Sequence, residues 1–264
     1  MARTAIVSGG NRGIGGAISR ALARDGADVA VLYRRDEDSA KETIKAVEEA
    51  GHKGRAYQVD IQDYEALEQV VSSVVDDFGG IDILINNAGI ASRGNLVSDT
   101  DPAEMQRVVA VHALAPFYLS KLVLPEMRER PRGDVIFISS VATLHLGARG
   151  APYNMGKAAM EALAKTLAKE ERPNGIRVNI VAPGLVDTEM GRRLVKATTG
   201  AEIAEIERGL PFGRACQPED IAEVVAFLCS DRSQYTTGQV LYVNGGADGG
   251  AQEWIRQREE GQSG

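Results

Sequence analysis

Metal-binding side chains are scarce in this chain. Its 264 residues include only two cysteines, Cys216 and Cys229, and three histidines, His52, His112 and His145. Neither set has the close spacing of metal ligands or of a disulfide framework, so no metal is expected and the thiols read as reduced, in a cytoplasmic protein. Positive charge is also in deficit: 30 Lys and Arg stand against 37 Asp and Glu, a net charge of −7. With no basic cluster to offset it, that balance argues against a nucleic-acid surface. No basic-then-apolar leader and no long apolar run is read, so neither export nor a membrane partner is expected. A hydrophobic fraction of 44% suits one globular domain with a large core.

What the chain does carry is alternation. Short apolar runs at 4–8, 28–33, 54–59, 81–85, 134–139, 176–181 and 238–243 read as strands. Between them lie helix-favouring stretches: from the glycine turn to about Asp25, then 38–50, 63–78 with Asp63 as cap, 102–130, 153–172 and 218–230. Pro116 should bend or break the fourth of these. Strands and helices in strict alternation predict an α/β protein, a single doubly wound, Rossmann-like parallel sheet with helices on both faces. The domain is expected to span 1–250, with a polar, less regular substrate lid at about 189–213 and a tail at 251–264.

In such sheets ligands sit beyond the C-terminal ends of the strands, and the chemically suggestive residues cluster at those ends. After the first strand come Gly9, Asn11, Arg12, Gly13, Ile14 and Gly15, a glycine-rich turn opening a helix, where backbone N–H groups can meet a phosphate. After the second come Tyr33, Arg34 and Arg35; arginine here suits a 2′-phosphate, whereas an acid would suit a ribose hydroxyl. Asp60 and Ile61 end the third strand, and Asn87, Ala88 and Gly89 follow the fourth, where small residues let the backbone pack against a flat ligand. Ser140 closes the fifth. Tyr153 and Lys157 stand four apart, on one face of the next helix. A phenol is a poor proton carrier near neutrality, and a neighbouring cation is expected to bring its pKa down. Pro183, Gly184, Val186 and Thr188 follow the sixth strand.

On these motifs the chain resembles the short-chain dehydrogenase/reductase family over about residues 3–246, nearest in flavour to 3-oxoacyl-carrier-protein reductases. The resemblance implies an oxidoreductase that reduces a ketone to a secondary alcohol with NADPH. Tyr153 would be the general acid, Ser140 would orient the carbonyl, and Lys157 would bind the nicotinamide ribose and tune Tyr153. Asp60 would contact adenine, and Val186 and Thr188 the carboxamide. It also implies a homotetramer acting on a small molecule. One position departs from the pattern: 28 residues before Ser140 the family usually has asparagine, and here stands His112. A histidine with an ordinary pKa near 6.5 could relay protons there, or be a tolerated replacement. NAD is the less favoured cofactor. An NAD-linked alcohol or sugar dehydrogenase and a non-catalytic nucleotide-binding member remain the alternatives.

Overall fold

A computed structural model describes residues 2–247; the 251–264 tail lies outside the described residues. Seven strands form one parallel sheet: β1 (Arg3–Ser8), β2 (Ala27–Tyr33), β3 (Gly54–Gln58), β4 (Ile83–Asn86), β5 (Gly133–Ile138), β6 (Ile176–Pro183) and β7 (Val240–Val243). Their order across the sheet is β3-β2-β1-β4-β5-β6-β7. The chain therefore winds outward in one direction from β1 and then in the other from β4, and the crevice between these two strands is where a ligand fits.

Strand side chains alternate between two cores. Ala5, Val7, Ile136 and Ile138 face one cluster, shared with α1 (Gly13–Arg24), α2 (Glu37–Glu49) and α10 (Pro218–Cys229). Ile6, Val135 and Phe137 face the other, shared with α3 (Tyr64–Phe78), α5 (Ala115–Arg128) and α7 (Ala151–Glu170). Burial on both faces is why these strands read as continuous apolar runs. Asp63 caps α3 as expected, accepting the Ala66 N–H at 3.0 Å.

The long helix is continuous but changes pitch: α4 (Pro102–Val109), a π-helical stretch over Ala110–Leu114, then α5. Pro116 has no N–H to offer the His112 carbonyl four residues back, so the helix widens just upstream, where Ala115 N–H bonds Ala110 O. This helix is long and apolar on average without being an unbroken apolar run, since Ser120 and Lys121 fall inside it. Over its 27 residues, an 18-residue window reaches a mean hydropathy of 1.5, enough by composition to cross a membrane. Here Val108, Leu119, Val123 and Met127 are buried in the domain core instead.

Two further differences bear on the site. A short helix, α6 (Ala142–His145), follows Ser140, and the 189–213 stretch is more regular than its polarity suggests. It holds α8 (Glu189–Thr199) and α9 (Ile203–Ile206), folded around a small core of Val195, Ile203, Leu210 and Ala215. Thr188 caps α8, accepting the Gly191 N–H at 3.1 Å.

Candidate active site

The first strand ends in a turn stitched to its neighbour. Ser8 Oγ donates to the Ile85 carbonyl at 3.1 Å and accepts the N–H groups of Asn87 at 3.0 Å and Ala88 at 3.1 Å. Asn87 Nδ2 returns bonds to the carbonyls of Ser8 and Gly9, at 2.9 and 3.1 Å. Gly13 takes φ +53°, and a methyl there would lie 3.5 Å from Thr188 Cγ2. Gly15 has no room at all: a Cβ would stand 2.1 Å from Gly9 O and 2.5 Å from Asn87 Nδ2. Ile14 packs against the core behind the turn. The start of α1 has no side-chain cap and no acid in its first turn, so its amide donors and dipole remain available to an anion. A Cβ-free cradle at an uncapped helix start fits a dinucleotide's pyrophosphate.

At the end of β2 the arginines are present but engaged. Arg12 pairs with Glu189 at 2.5 Å and with Asp36 at 3.6 Å, while Arg34 pairs with Asp60 at 3.5 Å. Burial pushes the Asp60 carboxyl up, but bonds from Gln62 and the Arg34 charge outweigh it and hold the carboxyl below its ordinary value. Asn11 spends its amide on the carbonyls of Arg35 and Asp36, both at 3.3 Å, so it braces the loop. Tyr33 is buried, Ile61 packs against the second core, and Arg35 is exposed. On the far side of the crevice, Pro183 O accepts the Val141 N–H at 3.0 Å and Gly184 N–H bonds Val243 O at 3.0 Å. Val186 sits in the first core.

Tyr153, Lys157, Ser140 and His112 converge. The rings of His112 and Tyr153 meet edge to face, centroids 5.0 Å apart at 78°. Lys157 Nζ lies 5.7 Å from the Tyr153 ring centre and donates to the Ile138 carbonyl at 2.7 Å. Burial pulls the Lys157 pKa down to about 7, against the Glu161 charge that raises it. Burial likewise raises the Tyr153 pKa, and the neighbouring Ser140 hydroxyl only partly offsets this. The expectation that the lysine cation lowers the phenol is therefore corrected. Loss of hydration dominates, and the Lys157 ammonium donates to the Ile138 carbonyl.

His112 is 1% exposed. Its Nε2 is 2.7 Å from Ile90 O, which makes Nε2 the protonated nitrogen and leaves Nδ1 bare; Nδ1 is buried without a hydrogen-bond partner. Burial, then the Lys157 charge, drive its pKa down to about 3 despite the Ile90 bond. His112 is a neutral imidazole here, so a relay that titrates near 6.5 does not fit. Gly89 and Gly156 make room for it: a Cβ on either would stand 2.7 Å from its Cε1 or 2.9 Å from its Cβ. These contacts carry the crevice unbroken from the glycine turn through Asn87–Gly89 to Tyr153.

Two carboxylates escaped the sequence reading. Buried Glu104 accepts the Arg93 N–H at 2.6 Å and so holds the loop after Gly89. Buried Glu161 accepts hydroxyls on either side of Ser140. Its one sequence signal is its position a helical turn beyond Lys157.

Comparison with known proteins agrees with this geometry. A family model described as enoyl-(acyl carrier protein) reductase matches residues 9–248. The chain is 36% identical to the 3beta-hydroxysteroid dehydrogenase 1 of Eggerthella lenta, over 92% of this chain and 93% of that protein. It is also 36% identical to the 3-oxoacyl-[acyl-carrier-protein] reductase FabG of Vibrio cholerae, over 92% and 96%. Among solved structures, a short-chain dehydrogenase/reductase mutant of Serratia marcescens superposes with a TM-score of 0.84 at 35% identity, covering 92% of this chain and 97% of that one. An NAD+-bound xylitol dehydrogenase does so at 0.85 and 30%, covering 92% and 98%.

Proposed function

Since the chain belongs to the short-chain dehydrogenase/reductase family, an oxidoreductase family that binds NAD(P), we propose that it reduces a ketone with NADPH, taking a 3-oxoacyl thioester or another small carbonyl to its secondary alcohol. When bound, the nicotinamide supplies the hydride. The chain's own residues do the rest. The glycine turn and the start of α1 hold the pyrophosphate, with Asp60, Asn87–Gly89 and Pro183–Thr188 along the cofactor's length. Ser140 orients the carbonyl oxygen, Tyr153 delivers its proton there, and Lys157 holds the ribose. The 189–213 segment covers the substrate. The observation that carries this reading is a tyrosine that stands against His112 and Lys157 in the crevice and is kept protonated by burial, which is a proton donor in waiting.

Arg12, Arg34 and Arg35 support NADPH over NADH. A second reading, NAD-linked oxidation of an alcohol or sugar, is favoured by one feature: Arg12 and Arg34 are both already paired with carboxylates. We also read the enzyme as a cytoplasmic homotetramer. Its two thiols are unbonded, and Leu114 and Phe117 on the long helix, with Phe227 on α10 and Tyr242 on β7, leave apolar side chains exposed.

The test is direct. Purified protein should oxidise NADPH in the presence of a 3-oxoacyl thioester or a cyclic diketone, and Tyr153→Phe should lose about 10²-fold or more of that rate. Full turnover in Tyr153→Phe would sink the assignment.

A further inference from the structure

The segment bearing Ser140 runs between β5 and α7, and one carboxylate bonds it on both sides of that serine. Glu161 is 7% exposed, on the inner face of α7. One of its oxygens accepts the Ser139 hydroxyl at 2.6 Å and the Thr143 hydroxyl at 2.7 Å. Ser139 is the last residue before Ser140, and Thr143 lies in the first turn of α6. Thr143 closes on Ser140 a second time, its N–H donating to the Ser140 carbonyl at 3.1 Å, while that carbonyl, 2.9 Å from the Thr143 hydroxyl, competes with Glu161 for its one proton. The other Glu161 oxygen faces Lys165 at 3.8 Å. A buried carboxylate that collects two hydroxyls flanking one serine costs desolvation that a plain apolar contact avoids.

We propose that Glu161 is a positioning residue of this site, setting the Ser140 hydroxyl against Tyr153 through Ser139 and Thr143 while supporting the Lys157 ammonium one helical turn away. The inference rests on the reading of Ser140, Tyr153 and Lys157 given above. The side chain touches neither Tyr153 nor any substrate position; it acts through its neighbours. The ionisable groups around it are few. Lys157 and Lys165 share its helix, His112 faces Lys157 from the π-helical stretch and is neutral, Tyr153 lies beyond Lys157, and His145 is the titratable residue of α6.

Two variants separate positioning from mere support. Glu161→Ala removes the acceptor that both hydroxyls share and should lower kcat about 10²-fold, as a displaced catalytic hydroxyl does, while the NADPH dissociation constant moves less than about threefold. Glu161→Gln keeps an acceptor oxygen for both hydroxyls but loses the charge. Its kcat should stay within about tenfold of the parent. The alkaline fall of its kcat/KM should move to lower pH, because an ammonium without its carboxylate gives up its proton more readily. If Glu161→Ala does not fold, the profile of Glu161→Gln decides alone. The proposal is overturned if Glu161→Ala keeps kcat within about twofold, or if Glu161→Gln leaves the pH profile in place. If the parent protein turns over no ketone, the functional reading fails by itself. Amide exchange over Val141–Leu146 then decides, with about tenfold faster exchange in Glu161→Ala supporting the placement of Ser140 and unchanged exchange refuting it.

Discussion

Lys157 should cost this protein stability, and removing it should make the fold stronger below neutral pH. Its ammonium is 3% exposed, and burial lowers its pKa from an ordinary 10.5 to about 7. The unfolded chain thus binds a proton between about pH 7 and 10.5 that the folded chain gives up. The sign follows: the penalty is complete below about pH 7 and fades as pH rises towards 10.5, so stability climbs across that window. At about 1.4 kcal/mol per tenfold the ceiling is roughly 5 kcal/mol. Lys157→Met relieves the charge at similar volume but also abandons the Ile138 carbonyl, which Lys157 Nζ now meets at 2.7 Å. An unmet buried acceptor costs about 1–3 kcal/mol. The net gain is then about 2–4 kcal/mol at pH 6, or about 4–16 °C in Tm, and by about pH 10 it has turned into a loss of up to about 2 kcal/mol. Urea and thermal unfolding of parent and variant at pH 6 and pH 10 measure it. A variant less stable than the parent at pH 6, or one whose gain is the same at both pH values, refutes the reasoning, because only a buried cation gives this slope.

Three further outcomes follow from the same contacts. Gly15→Ala drives a methyl into Gly9 O and Asn87 Nδ2, at 2.1 and 2.5 Å. It should lose NADPH binding by about 10²-fold in fluorescence titration while circular dichroism still reports the fold; parent-like affinity would remove the cradle argument. Arg34→Ala should weaken NADPH about tenfold and leave NADH unchanged, and equal effects on both would dissociate Arg34 from the 2′-phosphate. His112→Asn should leave the pH–rate profile unmoved between about pH 5 and 9, since the imidazole titrates only near pH 3; a limb that vanishes in the variant would restore the relay.

The fold was legible because the signal that builds it is local. Runs such as Ala5–Val7 and Val135–Ile138 are apolar on both faces, and that pattern with intervening helices admits few sheets. The proposed reacting trio was legible for a similar reason: Tyr153 and Lys157 lie on one helix, and Ser140 follows the strand before it. What stayed hidden depends on distant partners or on burial. Arg12 meets Glu189 across 177 residues, so two opposite charges that look free in the sequence neutralise each other. Asp134 is 1% exposed and is held by Arg3 at 2.6 Å and by Arg177 at 2.7 Å, and no periodicity reveals such pairing. The α8 helix was masked by its polar surface, because few of its residues, Gly191 and Val195, are buried. The direction of the Tyr153 shift was misread because proximity in sequence shows that a cation is near, not how much water the phenol has lost.

That last point governs which way the proposed reaction is poised. Reduction asks Tyr153 to arrive with its proton; oxidation of an alcohol asks it to arrive without one. Burial raises the phenol and lowers the ammonium, so as pH rises Lys157 gives up its proton first, while Tyr153 still holds its own. An alkaline decline in the reductive rate therefore reports the loss of the Lys157 charge, not exhaustion of the acid. Whatever sets the local field at Lys157, Glu161 above all, sets where that decline falls, whereas Tyr153→Phe removes the rate without moving the limb. Oxidation through the same residues must first ionise a phenol that the pocket holds neutral, so its rate should rise only at a higher pH than the one at which the reductive rate falls.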